Sequence, residues 1–90
     1  MHTDFDSFRA AALAEGFTEV LPRTWAPDTE VPEHTHPFAV KALVVAGELW
    51  LGSAEGLRHL QPGDRFELAA EVPHTERYGP AGATYWVARR

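Results

Sequence analysis

The first apolar pattern of the chain has helical spacing and lies in residues 4–16. Its apolar residues lie at helical spacing and form one stripe, made of Phe5, Phe8, Ala12 and Leu13. Asp4 or Asp6 can cap the helix at its N-terminus, and Gly16 can end it. The stripe indicates packing against the rest of the domain, with docking of a partner as the alternative.

Beyond Gly16 the apolar residues alternate loosely, which predicts a series of short strands. The predicted strands lie within residues 17–25, 38–47, 48–56, 57–64, 65–70, 72–79 and 83–90. Gly47 is expected at a bend between two of them, and residues 26–34 are interpreted as a proline-rich connection. Short strands separated by turn signals predict an all-β antiparallel sandwich or small barrel that follows one short helix.

Composition narrows the classes of protein to consider. Ninety residues with 44% hydrophobic content suffice for a single domain with its own core. The absence of cysteine excludes disulfides and thiolate sites. A formal net charge of −5, with no basic cluster beyond Arg89 and Arg90, argues against a nucleic-acid partner. No apolar run reaches the roughly 18 residues of a membrane span, and the N-terminus lacks a signal-peptide pattern, so we expect a cytoplasmic protein without a membrane partner.

Candidate chemistry is concentrated in the histidines. His34 and His36 are two residues apart, so in a strand both imidazoles would project from the same face and could reach one ion. His74 follows Pro73 on a later predicted strand. The residues alone leave two interpretations open, namely a metal site or ordinary histidines near turns. His2 and His59 have no partner in this pattern and are expected at the surface.

Three segments together resemble the cupin superfamily of small β-barrels. They read "HTHPFAVKALVVAGELWL", "LQPGDRFEL" and "VPHTERYG". The first cupin motif has two histidines, a glutamate and a closing glycine, and the second has a third histidine after a proline-glycine turn. The resemblance implies a single-domain jelly-roll barrel over residues 17–90, with residues 1–16 as an N-terminal helix. It also implies a divalent transition metal (Fe, Zn, Ni, Mn or Cu) bound by His34, His36 and His74.

The chain departs from the cupin pattern at three positions. The glutamate of the first motif falls on Val40, which has the parity of the two histidines and should face inward without binding a metal. The proline-x-glycine of the second motif is replaced by residues 69–71, so that loop should differ in shape. The late asparagine of the second motif falls on Tyr78.

Glu76 is the candidate substitute for the missing carboxylate, because it lies two residues after His74 and shares its strand face. It could be a fourth ligand, a hydrogen-bond partner of an imidazole, or a general base. The alternative is a solvated residue paired with Arg77 or Arg65. Tyr78 shares the same parity, so its hydroxyl could orient a ligand, and Phe38 is the expected wall of the pocket.

Two classes of function follow from this reading. The first is a metalloenzyme of dioxygenase or isomerase type that acts on a small acidic or chelating substrate, with Glu76, Tyr78 and Arg23 as the acid, base or polar candidates. The second is a non-catalytic module that binds or senses a small molecule in the barrel. A chain this short has strand edges that are easier to bury in pairs, so we also expect a homodimer.

Overall fold

The computed structural model describes residues 4–90. One helix and six strands follow each other along the chain: α1 (Phe5–Ala14), β1 (Glu19–Trp25), β2 (Glu30–His34), β3 (Val40–Ser53), β4 (Gly56–Leu60), β5 (Arg65–Leu68) and β6 (His74–Arg89). The surface position expected for His2, and the first three residues of the expected helical segment, lie outside the described residues. Within residues 4–90, no helix is long and apolar enough to cross a membrane.

Helix α1 forms where the sequence predicts it and packs on its own barrel. The Asp4 side chain accepts a hydrogen bond from the backbone N–H of Ser7, which caps the first turn. Phe8 and Ala12 are buried, and the rings of Phe5 and Phe8 contact the indole of Trp86 at centroid distances of 5.6 and 5.9 Å. Leu13, the fourth member of the predicted stripe, is instead 39% exposed.

The two long strands β3 and β6 pair with each other and run through both halves of the barrel. The first half of β3 and the second half of β6 form one half-sheet, edged by β1 and β5. The second half of β3 and the first half of β6 form the other half-sheet, edged by β2 and β4. The predicted all-β sandwich with one N-terminal helix is therefore confirmed.

The predicted break at Gly47 is wrong, because β3 continues through it. Gly47 has φ of +70° and sits among register shifts of the β3–β6 ladder, so it forms a bulge inside one strand. A Cβ atom there would overlap the carbonyl oxygen of Gly82, which has φ of +69° and lies in β6. Both strands bend where these glycines meet. The two strands predicted within residues 72–79 and 83–90 are likewise a single strand, β6.

The interpretation of residues 26–34 as a connection is also wrong, because they include β2. Strand β2 pairs only with β6, so it lies at the edge of its half-sheet. Proline has no N–H to give to a ladder, yet an edge strand can accommodate Pro32, which lies where the β2–β6 register shifts. The carboxyl end of β2 is His34, so this unpredicted strand places the first candidate ligand.

The buried apolar residues form two clusters, one inside the barrel and one between α1 and the barrel. The larger cluster fills the barrel interior and includes Val40, Leu49, Phe66, Tyr78 and Tyr85. The smaller cluster lies between α1 and the outer face of the first half-sheet and includes Phe8, Leu43 and Ala88. The outer face of the second half-sheet carries Trp50, and α1 does not cover it.

Candidate metal centre

The three predicted histidines come together at one end of the barrel. His34 ends β2 and pairs across the ladder with His74, the first residue of β6, and His36 follows two residues after β2. The ring centroids are 4.8 Å apart for His34 and His36, 4.2 Å for His34 and His74, and 5.1 Å for His36 and His74. One ring nitrogen from each histidine lies within 4.8 Å of the other two. This is the only group of three or more potential ligands found among residues 4–90.

Backbone carbonyls fix the orientation of two of the rings. Nδ1 of His34 donates to the carbonyl of Pro32 at 2.8 Å, and Nδ1 of His74 donates to the carbonyl of Val72 at 2.9 Å. A carbonyl can only accept, so the proton of each neutral ring is on Nδ1 and the Nε2 lone pair points away from it. This is the tautomer in which Nε2 is available to a metal.

His36 is held differently, by its neighbours in the loop. Its ring stacks on Phe38 with a centroid distance of 4.9 Å and an interplanar angle of 14°, and its carbonyl accepts a 2.7 Å hydrogen bond from the N–H of Glu71. Glu71 has φ of +65°, a conformation that few non-glycine residues adopt. The loop that departs from the cupin pattern thus contacts the histidine pair directly.

Glu76 is buried beside the histidines, with 8% of its surface exposed. Its Oε2 atom lies 3.4 Å from Nε2 of His34 and 3.8 Å from Nε2 of His74. The alternative of a solvated carboxylate paired with Arg77 or Arg65 is wrong. Arg77 instead stacks on the indole of Trp50 at 4.6 Å, on the outer face of the sheet.

The other carboxylate oxygen of Glu76 is held by two tyrosines. The hydroxyl of Tyr78 donates to Oε1 at 2.5 Å, and the hydroxyl of Tyr85 lies 3.5 Å from the same atom. Nε1 of Trp25 donates to the Tyr85 oxygen at 3.1 Å, and the Trp25 ring stacks on Tyr78 at 5.0 Å. The network leaves Oε2 as the oxygen that faces the histidines.

Both tyrosines of this network stay protonated at neutral pH. Burial raises the pKa of Tyr78 far above its ordinary value of 10.0, and the neighbouring Tyr85 and Glu76 raise it further. Burial also raises the pKa of Tyr85, and the Glu76 carboxylate acts in the same direction. Each hydroxyl therefore acts as a hydrogen-bond donor to the carboxylate rather than as a phenolate.

A cavity of about 60 Å³ adjoins the histidines. Its polar lining comprises Arg23, His36, His74, Glu76 and Tyr85, and its apolar lining comprises Phe38, Val40, Phe66, Leu68 and Val87. Val40 is 8% exposed and lines the cavity, as the parity of the first motif predicts, and Phe38 forms part of the wall. The position where cupins carry their glutamate is thus part of an apolar wall here, and Glu76 on β6 is the carboxylate that lines the cavity.

Sequence reasoning assigned no role beside Glu76 to Tyr85 or Trp25. Tyr85 lies on β6 like Glu76 and reaches it because β6 bends, and Trp25 on β1 contacts Tyr85 and Tyr78 because β1 pairs with the second half of β6. Because the strands bend at Gly47 and Gly82, the alternation of side chains along β6 does not show which residues share a face on the two sides of the bend. The sequence therefore carries no local signal for these contacts. His59 lies outside the cluster, where it stacks on Trp50 at 4.5 Å and approaches Glu48 at 3.4 Å, in accord with the expected surface position.

Known proteins resemble this chain in structure and not in sequence. No protein-family model matches this chain, and no curated protein matches its sequence. An RmlC-like cupin from Shewanella frigidimarina superposes with a TM-score of 0.69 at 21% identity, covering 78% of this chain and 62% of that one. The DMSP lyase DddQ from Ruegeria pomeroyi superposes with a TM-score of 0.72 at 24% identity, covering 79% of this chain and 36% of that one.

A cupin domain of an XRE family transcriptional regulator from Enterobacter cloacae also superposes, with a TM-score of 0.63 at 20% identity, covering 79% of this chain and 78% of that domain. This chain has the cupin fold. The predicted jelly-roll barrel is therefore confirmed as a cupin barrel. The chain spans less than two thirds of the Shewanella cupin and little more than a third of the lyase, so the comparison carries over the fold and not the activity of either protein.

The histidine cluster predicts a pH dependence of stability in the metal-free cupin. Burial lowers the pKa of His36 below 6.5, and the charges that His34 and His74 would carry lower it further, while Glu76 opposes them. His36 therefore takes up a proton less readily in the folded state than in the unfolded state, so its contribution to stability is complete above about pH 6.5 and is lost as the pH falls toward its folded pKa.

We expect the urea concentration at the unfolding midpoint to decrease when the pH is lowered from about 7.5 to about 5.5. The decrease should be smaller in His36→Gln than in the unmodified cupin. His59→Gln is the matched control, because His59 stacks on Trp50 away from the cluster. An equal pH dependence in His36→Gln and the unmodified cupin would contradict the prediction.

Proposed function

We propose that this cupin holds one divalent transition metal ion, with His34, His36 and His74 as nitrogen ligands and Glu76 as the fourth ligand. The observation that supports the proposal most directly is the convergence of hydrogen-bond acceptors. The Nε2 lone pairs of His34 and His74 face the Oε2 atom of Glu76 at 3.4 and 3.8 Å, with the Nδ1 protons engaged elsewhere. A set of acceptors this close requires a proton or a cation among its members.

The donor set fits such an ion. Neutral imidazole suits Zn, Fe, Ni and Cu, and a carboxylate extends the range to Mn. Nitrogen ligands bind at about 2.1 Å, so two of them on one ion are at most about 4.2 Å apart. The three histidine nitrogens lie within 4.8 Å of one another, so small rotations of the rings suffice to bring them into range.

The reaction we propose is of dioxygenase or isomerase type, on a small acidic or chelating substrate. A bound metal would supply a Lewis acid and an open position for a substrate oxygen or for dioxygen. Tyr78 orients the Glu76 carboxylate through the 2.5 Å hydrogen bond, and the apolar wall around Val40 limits the water in the cavity. If Glu76 is a general base instead of a ligand, the same hydrogen bond fixes the direction in which it takes a proton.

The second candidate function is a non-catalytic binding or sensing module for a small molecule. It is supported by the similarity to a cupin domain of a transcriptional regulator, which this chain matches over 78% of that domain's length. The cavity of about 60 Å³ serves either function, because it has one polar and one apolar side. The cytoplasmic location predicted from the N-terminal sequence stays a prediction.

Metal analysis of the purified cupin, followed by oxygen-uptake assays with diketones, thiols and phenolic acids, tests the proposal. One equivalent of a transition metal with turnover of any of these classes would support the enzyme. One equivalent of metal with saturable binding and no turnover would favour the sensing module. A cupin that takes up no transition metal when each candidate ion is supplied would contradict both the metal site and the proposed reaction.

We also predict a homodimer at micromolar concentration, formed through the outer face of the half-sheet made by β2, β6, β3 and β4. Helix α1 covers the other half-sheet, whereas this one presents Trp50 and the 70% exposed Leu57. Light scattering should therefore give about twice the 10.0 kDa of one chain. Leu57→Glu should shift the mass toward one chain, and Leu13→Glu, on the 39% exposed leucine of α1, should leave it unchanged. A monomeric unmodified cupin, or the opposite response of the two variants, would contradict this interface.

A further inference from the structure

Arg23 is a charged residue on the inward face of a strand. It pairs with Tyr85 across the β1–β6 ladder, and directly paired residues project to the same side of a sheet. Tyr85 lies in the interior cluster, and Leu21 and Trp25, the neighbours of Arg23 on the same face of β1, both pack against that cluster. Arg23 therefore lies on the inward face of β1 and lines the cavity beside His36, His74 and Glu76, while the residue as a whole remains exposed to solvent.

The guanidinium of Arg23 is positioned without a counter-ion. Its central carbon lies 4.9 Å from the ring centroid of Trp25, and that ring is fixed by its hydrogen bond to Tyr85 and its stacking on Tyr78. Within residues 4–90, no carboxylate oxygen lies within 4.0 Å of it. Two other cations of the barrel are paired, because Lys41 contacts Glu15 and Arg89 contacts Glu19.

We propose that Arg23 binds the anionic group of the ligand whose other end reaches the metal centre, and that it restricts the ligand to small carboxylates. This inference rests on the proposed function, since it assigns the substrate class of the same site. A guanidinium presents parallel N–H groups that match the two oxygens of a carboxylate, and its contact with the Trp25 ring keeps it beside the cavity. A cavity of about 60 Å³ beside the histidines offers room for a small ligand.

The competing explanation is protection of a sheet edge. Strand β1 pairs only with β6, and inward-pointing charges on edge strands reduce pairing with other chains. That explanation predicts an effect of Arg23 on self-association and none on the binding of ligands. The two explanations therefore differ in what the same variant does to two measurable quantities.

The test compares glycolate with glycolamide, its neutral analogue of similar shape. Both are titrated into the zinc-loaded and the metal-free cupin, and the dissociation constants are read from chemical shifts, including that of the Arg23 side-chain N–H. We expect Arg23→Gln to weaken glycolate binding by about tenfold or more and glycolamide binding by less than about twofold, since a hydrogen bond to a charged group is worth more than one to a neutral group. The glycolate affinity of Arg23→Lys should lie between that of Arg23→Gln and that of the unmodified cupin.

Arg77→Gln is the matched control, because Arg77 also stacks on a tryptophan, at 4.6 Å, but on the outer face. It should leave both dissociation constants unchanged. Equal losses for glycolate and glycolamide in Arg23→Gln, unchanged binding with increased self-association, or no glycolate binding by the unmodified cupin would each overturn the inference. Zinc content is measured in the same samples. Absent zinc in the unmodified cupin contradicts the proposed function, whereas the glycolate response of the metal-free cupin still decides the role of Arg23.

Discussion

Replacing His36 by alanine should lower the affinity of this cupin for a divalent transition metal by at least about 100-fold. Residues that merely support a ligand typically contribute 10–100-fold to affinity, so a direct ligand should contribute at least as much. The fold should survive the substitution because His36 does not take part in the β2–β6 pairing that holds the other two rings together. Alanine removes the imidazole and leaves that ladder in place.

The measurement is competition with a chromogenic chelator, using zinc and nickel on the same preparations. His59→Ala is the matched control, since it removes an imidazole that stacks on Trp50 outside the cluster, and it should retain full affinity. The urea midpoints of both metal-free variants show whether the fold survives. A His36→Ala variant that is folded and binds metal as tightly as the unmodified cupin would exclude His36 as a ligand.

The parts of this fold that the sequence predicts are those set by local chemistry. The Asp4 cap needs only a short polar side chain before an apolar stripe, and the turn at residues 62–64 needs only proline and glycine in sequence. The spacing of His34 and His36 likewise places both on one side of an extended segment. Each of these features is decided within a few residues of the chain.

The parts that the sequence does not predict depend on contacts between distant residues. A glycine such as Gly47 can end a strand or form a bulge in it, and the choice here depends on the close approach of Gly82 from β6. Pro32 argues against a strand unless the strand is known to lie at an edge. The tyrosines around Glu76 meet it because β6 bends between them, and Trp25 joins them because β1 pairs with the second half of β6; no local pattern reveals either contact.

Val40 and Glu76 are predicted in part by local pattern and in part only by contacts between distant strands. The sequence predicts that Val40 faces inward and that Glu76 shares the face of His74, but it does not predict that the two meet. In the barrel both line the same cavity, so a carboxylate on β6 occupies the region that the glutamate of the first cupin motif would otherwise reach. If the carboxylate has moved from one strand to the other, moving it back should restore the site.

Glu76→Gln should therefore weaken metal binding by about 10–100-fold and at the same time stabilise the metal-free cupin by about 1 kcal/mol. The hydroxyls of Tyr78 and Tyr85 favour the amide oxygen at the position of Oε1, which turns the amide N–H groups toward His34. The Nε2 atom of His34, now 3.4 Å from a carboxylate oxygen, would then face a donor instead of an acceptor. A residue with only a structural role would not change affinity and stability in opposite directions.

The double variant Val40→Glu with Glu76→Gln should regain metal affinity to within about tenfold of the unmodified cupin, because the carboxylate returns to the cavity from β3. The single Val40→Glu variant places a second carboxylate beside Glu76, so its metal-free form should unfold at a lower urea concentration. Chelator competition and urea unfolding on all four proteins complete the cycle. Restored affinity would identify Glu76 as a ligand. If Glu76→Gln instead binds metal normally and loses only turnover, Glu76 is a general base and the proposed fourth ligand is wrong.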